Sequence, residues 1–408
     1  MRVAVLGGGL QGCCAALALA DRGVHVTLFD RNQALVTRAG VANEGKIHLG
    51  YMYAGDPSLR TAKTMMTGAL AFEPFLKRHL SAASPAFETS VAAAYVIHRD
   101  TQLPPEQIAD YLNRVHNLIA EMAVGRPSTY FGMDLERHPR RWSAAQREAS
   151  FHADLAVDAY ETPEVAINPL VVAEALRQCI SAHPLIETRL GCEIVDAVEE
   201  PSHISVLGRD RHGAVDERFD QIINALWDGR LALNEAVGMP TGRAWMHRLK
   251  YGVSFRLPKG AEIPPSATFV LGPFGEVVSY GEGLTYLTWY PTCLRAISRE
   301  TTPPDWANFP DEPLRSEVLT GTLQALGEIV PALRGLNPET LPEAMVKGGV
   351  IVAWGSTDIY DPQSELHRRY EIGITTKGRF HSIDPGKLTM APYFAEQCAE
   401  RVLGETPA

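Results

Sequence analysis

The chain opens on an apolar run, Met1 to Leu6 (MRVAVL), that breaks at the glycines of GGGLQG. It resumes as the small apolar stretch CCAALALADR, stops at Gly23 and returns as VHVTLFD. Two short β-type runs around a helix-length segment predict a βαβ unit. Downstream, Ser58 is placed to cap a helix through LRTAKTMMTGALAFE that Pro74 interrupts. Residues 81–160 mix a strand candidate (VAAAYVIH, 91–98), a helix (PPEQIADYLNRVHNLIAEMA) and a polar Arg, Trp and His-rich connection. Asn168-Pro169 starts a clear helix, PLVVAEALRQCISA. Strand candidates IETRL, CEIVDAVE, HISVLG and AVDERF follow, and the apolar IINAL of FDQIINALWDG reads as a buried parallel strand ending at Trp227.

The alternating and aromatic runs KYGVSFRL, ATFVLG, EVVSYG and LTYLTWYP predict an antiparallel sheet. A helix is expected near 312–334, then GGVIVAWG and further strands, then a last amphipathic helix stopped by Gly404. Parallel-type and antiparallel-type segments alternate along the chain, so two domains are expected to interleave. A nucleotide-binding layer takes 1–80, 160–240 and 340–408, and a substrate layer takes 81–159 and 241–339. The fold class is α/β (α+β overall): a Rossmann-like nucleotide-binding domain interleaved with a mixed or antiparallel-sheet substrate domain.

Composition narrows the function classes. At 408 residues the chain exceeds one ordinary core. No apolar run approaches the roughly 20 residues that span a bilayer. MRVAVL lacks the layout of a signal peptide, so a cytoplasmic location is expected. With 38 basic and 48 acidic residues the net charge is −10, and no basic cluster exceeds pairs such as Arg140-Arg141, which disfavours nucleic acid. The six cysteines lack metal-ligand or disulfide spacing, so no metal is expected.

Gly7, Gly9 and Gly12 fit G-x-G-x-x-G between strand and helix, and Asp30 ends the second strand. Glycines let backbone approach a pyrophosphate, the helix start offers free N–H groups, and Asp30 can accept hydrogen bonds from ribose hydroxyls. A carboxylate there repels a 2′-phosphate. NADP is thus disfavoured, and FAD and NAD stay open.

Three segments carry a resemblance: VAVLGGGLQGCCAALALADRGVHVTLFDR, GKIHLGYMYAGDPSLRTAK and IDPGKLTMAPYFAEQCAERVL. The chain resembles the FAD-dependent D-amino-acid-oxidase-like superfamily, which includes glycine and sarcosine oxidases, glycerol-3-phosphate dehydrogenases and L-2-hydroxyglutarate oxidases. The middle segment is similar to the hydroxyglutarate and glycerol-phosphate branches, where a His-x-Gly borders the flavin, and FDQIINALWDGR matches the strand before an adenosine contact. The resemblance implies FAD held by Gly7, Gly9, Leu10, Gln11, Gly12, Asp30, Arg31 and Arg38. It adds Asn43, Glu44, Gly45, Lys46 and His48 along the flavin, then Ala225 and Trp227, and Gly386, Lys387, Leu388 and Thr389 at the final helix start. The superfamily's Arg-Pro pair, whose Arg clamps a substrate carboxylate, is missing from VAWGSTDIYDP.

The chemistry implied is removal of hydride, from a C–H beside an amine or hydroxyl, to flavin N5. Gly45 and Gly50 are expected to let backbone approach the flavin. His48 has four readings: ring contact, substrate orientation, proton acceptance or covalent flavin attachment. A structural, hydrogen-bonded His is the alternative to all four. The dipole of the final helix is expected to face the flavin N1–C2=O edge, with Lys387 adding charge or sitting in solvent. His48, His381 and Lys347 are the catalytic candidates, and Tyr51, Tyr53, Arg256, Tyr286, Tyr290 and Trp354 are the substrate candidates. The aromatics of the 280–290 strands suit a core more often than a site, and Arg256 in SFRLP alternates as readily towards solvent. The substrate is a small molecule, either an amino acid or amine or a 2-hydroxy acid, and the electron acceptor is left open among oxygen, a quinone and a redox protein. The alternatives are an NAD-dependent dehydrogenase, or a flavin-binding subunit serving a partner or RNA modification.

Overall fold

The computed structural model describes residues 1–84, 86–124 and 130–405. Its first strand β1 (Arg2–Leu6), helix α1 (Leu10–Ala20) and second strand β2 (His25–Asp30) form the expected unit, with every residue of α1 buried. β1 lies inside a six-stranded sheet ordered 373–377, 380–384, 221–224, β1, β2, 186–190. All neighbours are parallel except the edge strand 373–377, which runs antiparallel to Phe380–Asp384. The final helix Ala391–Leu403 packs on α1 and on the helix Arg60–His79, and Gly404 closes it at φ 71°. A three-stranded meander, 193–219, folds over the other side, where Phe219 meets Phe29 edge-on at 5.9 Å.

The second sheet has nine strands, among them Trp245–Arg256, Leu284–Trp289, Gly275–Ser279, Ala94–His98 and Ala156–Glu161. It contains one strand that the sequence reading gave to the nucleotide-binding layer. Met345–Trp354 pairs antiparallel with Trp245–Arg256 from Ser254↔Met345 to Trp245↔Trp354, a ladder long enough to outweigh its place late in the chain. Among the described residues no helix is long and apolar enough to cross a membrane.

Two helix ends differ from the expectation. Pro74 lies inside Arg60–His79, because a proline removes a single backbone donor while Phe72, Phe75 and Leu76 are buried on either side of it. At the start of that helix Ser58 Oγ accepts from Arg60 N at 3.3 Å, as expected of a cap, and the buried Asp56 reinforces it, accepting from Ser58 N (3.1 Å) and Oγ (2.5 Å) and from Thr61 N (3.0 Å) and Oγ1 (2.7 Å). The last helix also starts later than expected: Leu388–Met390 is a 3₁₀ turn and the helix proper begins at Ala391.

Burial alone would raise the Asp56 pKa, but the Ser58 and Thr61 hydrogen bonds outweigh it and hold the carboxyl below its ordinary value. A lowered folded pKa stabilises above the unfolded carboxyl's titration and loses that stabilisation as pH falls through the folded value. Asp56→Ala is therefore expected to cost about 1–2 kcal/mol at neutral pH, measured by urea unfolding. The gap to the wild type should close on acidification, and a gap constant with pH would contradict the role.

Candidate active site

A cleft of ≈ 510 Å³ runs from the carboxyl ends of β1 and β2 to the face of the antiparallel sheet. At its first end Gly7 has φ +101°, and a Cβ there would meet the Ala225 carbonyl oxygen at 2.6 Å. A Cβ on Gly12 would stand 1.8 Å from the Gly7 carbonyl oxygen, so the turn closes only on glycine. Gly9, at the N-terminus of α1, has nothing within 4 Å of its missing Cβ and no side-chain cap, which leaves the first amides of α1 facing an open trough.

Asp30 braces this turn. Its Oδ2 accepts from Gly8 N at 2.7 Å, and its Oδ1 accepts from Asn32 N and Nδ2, both at 2.7 Å. Arg38 and Arg31 both face Asp228, at 2.9 and 3.6 Å. Burial raises the Asp228 pKa against the pull of Arg31, so two guanidiniums stand over this one carboxylate, while Asp30 is satisfied by amide N–H groups. Trp227, held at φ 58°, donates from its indole to Val350 O at 2.6 Å and fixes this wall to the second sheet.

The other end is built on Asn43–Gly50. A Cβ on Gly45 (φ +70°) would lie 1.9 Å from Ile167 O, and one on Gly50 (φ +111°) would lie 2.8 Å from the Ala62 side chain. These glycines admit protein neighbours, a correction to the expectation that they admit the flavin. Gly45 instead lets the Lys46–Ala166 bridge form, and the side chains of Lys46 and His48 line the cleft.

His48 is buried and bonded on both sides. Its backbone N–H donates to Thr389 Oγ1 at 3.0 Å, and Thr389 Oγ1 donates to Lys46 O at 3.2 Å. Its Nδ1 lies 3.2 Å from Glu164 Oε1. Glu164, fully buried, also accepts from Leu49 N at 2.7 Å and from the Tyr95 hydroxyl. Burial pushes the Glu164 pKa up most strongly, yet His48, Lys46 and Tyr95 together bring it below its usual range. An ionised carboxylate only accepts, so Nδ1 carries a proton toward Glu164 and Nε2 is the ring nitrogen not engaged by Glu164.

Charges alternate around the ring of walls beyond His48. Lys46 Nζ lies 3.5 Å from Glu276, and Lys250 Nζ lies 3.9 Å from Glu44 and 5.1 Å from the Tyr290 ring centre. Although burial opposes it, Lys250, Lys387 and His48 pull the Glu44 pKa to about 2. Burial pushes the Lys387 pKa down, with Glu44 opposing. Arg369 is buried in the same wall. Its backbone N–H donates to Thr61 Oγ1 at 3.0 Å and its Nε to Leu366 O at 3.3 Å. Among the described residues no carboxylate pairs with Arg369 within 4.0 Å. Burial depresses its pKa, and Tyr53 and Tyr290 are its nearest opposing influences.

Of the residues named on sequence, Gly7, Gly9, Leu10, Gln11, Asp30, Arg31, Arg38, Asn43, Glu44, Lys46 and His48 line the cleft, with Ala225, Trp227, Gly386, Lys387, Leu388, Tyr53 and Tyr290. Gly12, Gly45 and Thr389 stand behind the wall as its supports.

Six candidates lie elsewhere. His381 is held in the parallel sheet between Thr376 Oγ1 (3.0 Å) and Gln221 Oε1 (3.1 Å), where burial, with Arg401, pushes its pKa to about 4. Lys347 covers the Phe309 ring at 5.3 Å. Arg256 is spent on Glu343 (3.1 Å) and Glu282 (3.5 Å) at its strand end. Trp354 donates to Asp384 at 2.7 Å beneath Arg243. Tyr51 packs on Tyr95 with ring centres 5.8 Å apart, two positions out of phase with the cleft-lining Tyr53. Tyr286 fills the space over Gly252, where a Cβ would meet its hydroxyl at 2.2 Å.

Sequence reasoning missed Glu164, Lys250 and Arg369. No local spacing marks Glu164, which lies 116 positions from His48. Arg369, in an Arg-Arg pair after Pro362, shows no motif at all.

The family model described as FAD dependent oxidoreductase matches residues 2–363. Among solved structures the chain is similar to glycine oxidase from Geobacillus kaustophilus, at 16% identity and TM-score 0.70, covering 100% of this chain and 96% of that one. Iminodiacetate oxidase from Chelativorans sp. BNC1 follows at 16% and 0.67, covering 99% and 96%. FAD-bound L-α-glycerophosphate oxidase from Mycoplasma pneumoniae gives 15% and 0.64, covering 100% and 96%. At these identities the likeness is one of fold. No curated protein matches the chain by sequence.

The residues present fit FAD. The Gly9 trough and the guanidiniums of Arg31 and Arg38 suit a pyrophosphate, Asp30 suits a ribose, and the long second end suits a ring system. Gly9→Glu, which places an anion in open space, is expected to give folded protein free of flavin. Gly12→Ala is expected to fail to fold. Circular dichroism and flavin absorbance per mole of protein check both, and full flavin content in Gly9→Glu would exclude this trough as the pyrophosphate site.

Proposed function

The chain belongs to the FAD-dependent oxidoreductase family and its cofactor is FAD; on that premise we propose that it dehydrogenates a small carboxylate bearing a hydroxyl or amine on the adjacent carbon. One observation carries the reading: an imidazole oriented by a buried carboxylate shares a cleft with a buried arginine that has no carboxylate of its own among the described residues. When bound, FAD would supply the two-electron acceptor for the hydrogen lost from the substrate C–H.

The protein's part is binding and proton movement. Arg369 takes the carboxylate, with Tyr53 and Tyr290 beside it, since a desolvated guanidinium gains most from the anion that fits its planar fork. His48 Nε2 accepts the hydroxyl or amine proton as the C–H bond is lost, so the carbon–heteroatom single bond becomes a double bond and charge balances. Glu164 holds the ring in the required tautomer and stabilises the imidazolium that forms. This arrangement favours a hydroxyl substrate over an amine, because a hydroxyl must give up its proton during the reaction whereas an amine can enter already neutral. The structural neighbours named as oxidases of glycine, iminodiacetate and glycerophosphate span both groups.

Mutation separates the two roles. His48→Ala is expected to retain FAD and slow anaerobic flavin reduction by about 10²–10⁴-fold, the usual worth of general-base catalysis. Arg369→Met is expected to lower kcat/KM about 10²-fold or more, chiefly through KM, as loss of one member of a buried charge pair does. Unchanged reduction in His48→Ala would remove the proton-acceptor role, and unchanged KM in Arg369→Met would remove the anchor.

A further inference from the structure

Resting on the carboxylate reading above, we propose that the group carried by the substrate's α-carbon is apolar and uncharged, seated in a box formed by Leu271, Phe274, Ile359, Leu366 and Tyr290. All five line the cleft that holds Arg369. Phe274 has ring centres of Tyr290, Tyr360 and His367 at 5.9, 5.3 and 6.4 Å. Leu366 is joined to Arg369 through the 3.3 Å bond from Nε to its carbonyl. Leu271 and Ile359 are joined through Gln102, whose backbone N–H donates to Leu271 O at 2.8 Å and whose side chain donates to Ile359 O at 3.3 Å. A molecule anchored on Arg369 therefore has this box as its neighbour.

Charge points the same way. Of the cations beside the box, Arg248 meets Asp358 at 3.3 Å and Lys250 meets Glu44 at 3.9 Å, whereas Arg369 and Lys387 have no carboxylate within 4.0 Å among the described residues. The ring of His367 is tied to the Asp361 carbonyl at 3.1 Å. Of the two, Arg369 is the one joined to the box, through Leu366, and a guanidinium next to an apolar surface suits a carboxylate with an aliphatic or aromatic tail. A second carboxylate would be buried against Leu271 and Phe274 with no partner, which is costly.

The box is formed by residues from three separate regions, one of them Tyr290 at the start of the short helix Tyr290–Cys293. Leu271 and Phe274 follow the strand Ala267–Phe269, and Ile359 and Leu366 come from the loop that delivers Arg369. Anchor and box thus share one loop, so the position of the carboxylate and the depth of the side-chain site are set together.

The test is anaerobic flavin reduction of the FAD-loaded enzyme by racemic lactate, 2-hydroxyisocaproate and 2-hydroxyglutarate, with alanine, leucine and glutamate as the amino series. In whichever series reacts, the six-carbon apolar acid is expected to exceed the three-carbon acid in kcat/KM by about tenfold or more, from added apolar burial, and to exceed the dicarboxylate by a larger factor. Ile359→Lys, on a partly exposed loop, is expected to narrow or reverse the preference over the dicarboxylate. Faster reduction by the dicarboxylate in the wild type would overturn the apolar box while leaving the carboxylate reading intact. No reduction by any of the six would overturn the reading on which the box rests. An Ile359→Lys enzyme with wild-type preference would also overturn the box.

Discussion

The carboxylate of Glu164 is the constraint on which the second end of the cleft depends. It is fully buried, and its two oxygens meet His48 Nδ1, the Leu49 amide and the Tyr95 hydroxyl. A buried charge lacking such donors would be strongly destabilising, so these contacts are obligatory. They join the segment after the nucleotide-binding unit to Ala94–His98 of the antiparallel sheet. Thr389 completes the tie by bonding His48 N and Lys46 O from the turn before the final helix. Three parts of the chain distant in sequence are thereby tied, through Glu164 and through the His48 backbone, around one imidazole, which is what preorganisation requires.

The two ends of the cleft are charged by different means. At the nucleotide end the donors are backbone amides at Gly9 and two arginines that share Asp228. Their position depends on a glycine turn that only one backbone path allows. At the ring end the cations are lysines and arginines on strands and loops, and most have a carboxylate close by. Lys46 lies by Glu276 and Lys250 by Glu44, which leaves Arg369 and Lys387 as the cleft cations with no carboxylate within 4.0 Å among the described residues. The guanidinium is the more selective of the two, because only an anion in its plane recovers the desolvation already incurred.

What was legible in the sequence follows from range. The βαβ unit, the helix at Asn168-Pro169, the meander and the last helix all announce themselves through local patterns: glycine spacing, capping residues and alternation. Gly7, Gly9 and Asp30 were readable because their roles are played within one supersecondary unit. Met345–Trp354 was assigned to the wrong sheet because an apolar strand does not state its partner, and the partner lies about a hundred positions earlier. Tyr51 and Tyr53 show the limit at the scale of single residues. Both belong to one recognisable segment, yet Tyr53 lines the cleft and Tyr51 packs on Tyr95.

The residues that were missed share one property. Glu164, Lys250 and Arg369 are ionisable groups inside otherwise apolar or structural contexts, and each would be unfavourable in its position if judged by local rules alone. Glu164 is offset by donors from two other segments and Lys250 by Glu44. The Arg369 guanidinium donates, among the described residues, to the Leu366 carbonyl and meets no carboxylate. A group that violates the local pattern and finds its compensation elsewhere in the fold is structural. One whose compensation is incomplete, in a cleft of this kind, is poised for a ligand. By that criterion His381 and Lys347, which have partners and lie outside the cleft, are supports of the fold, and the proposed chemistry rests on His48 with Glu164 behind it and Arg369 in the same cleft.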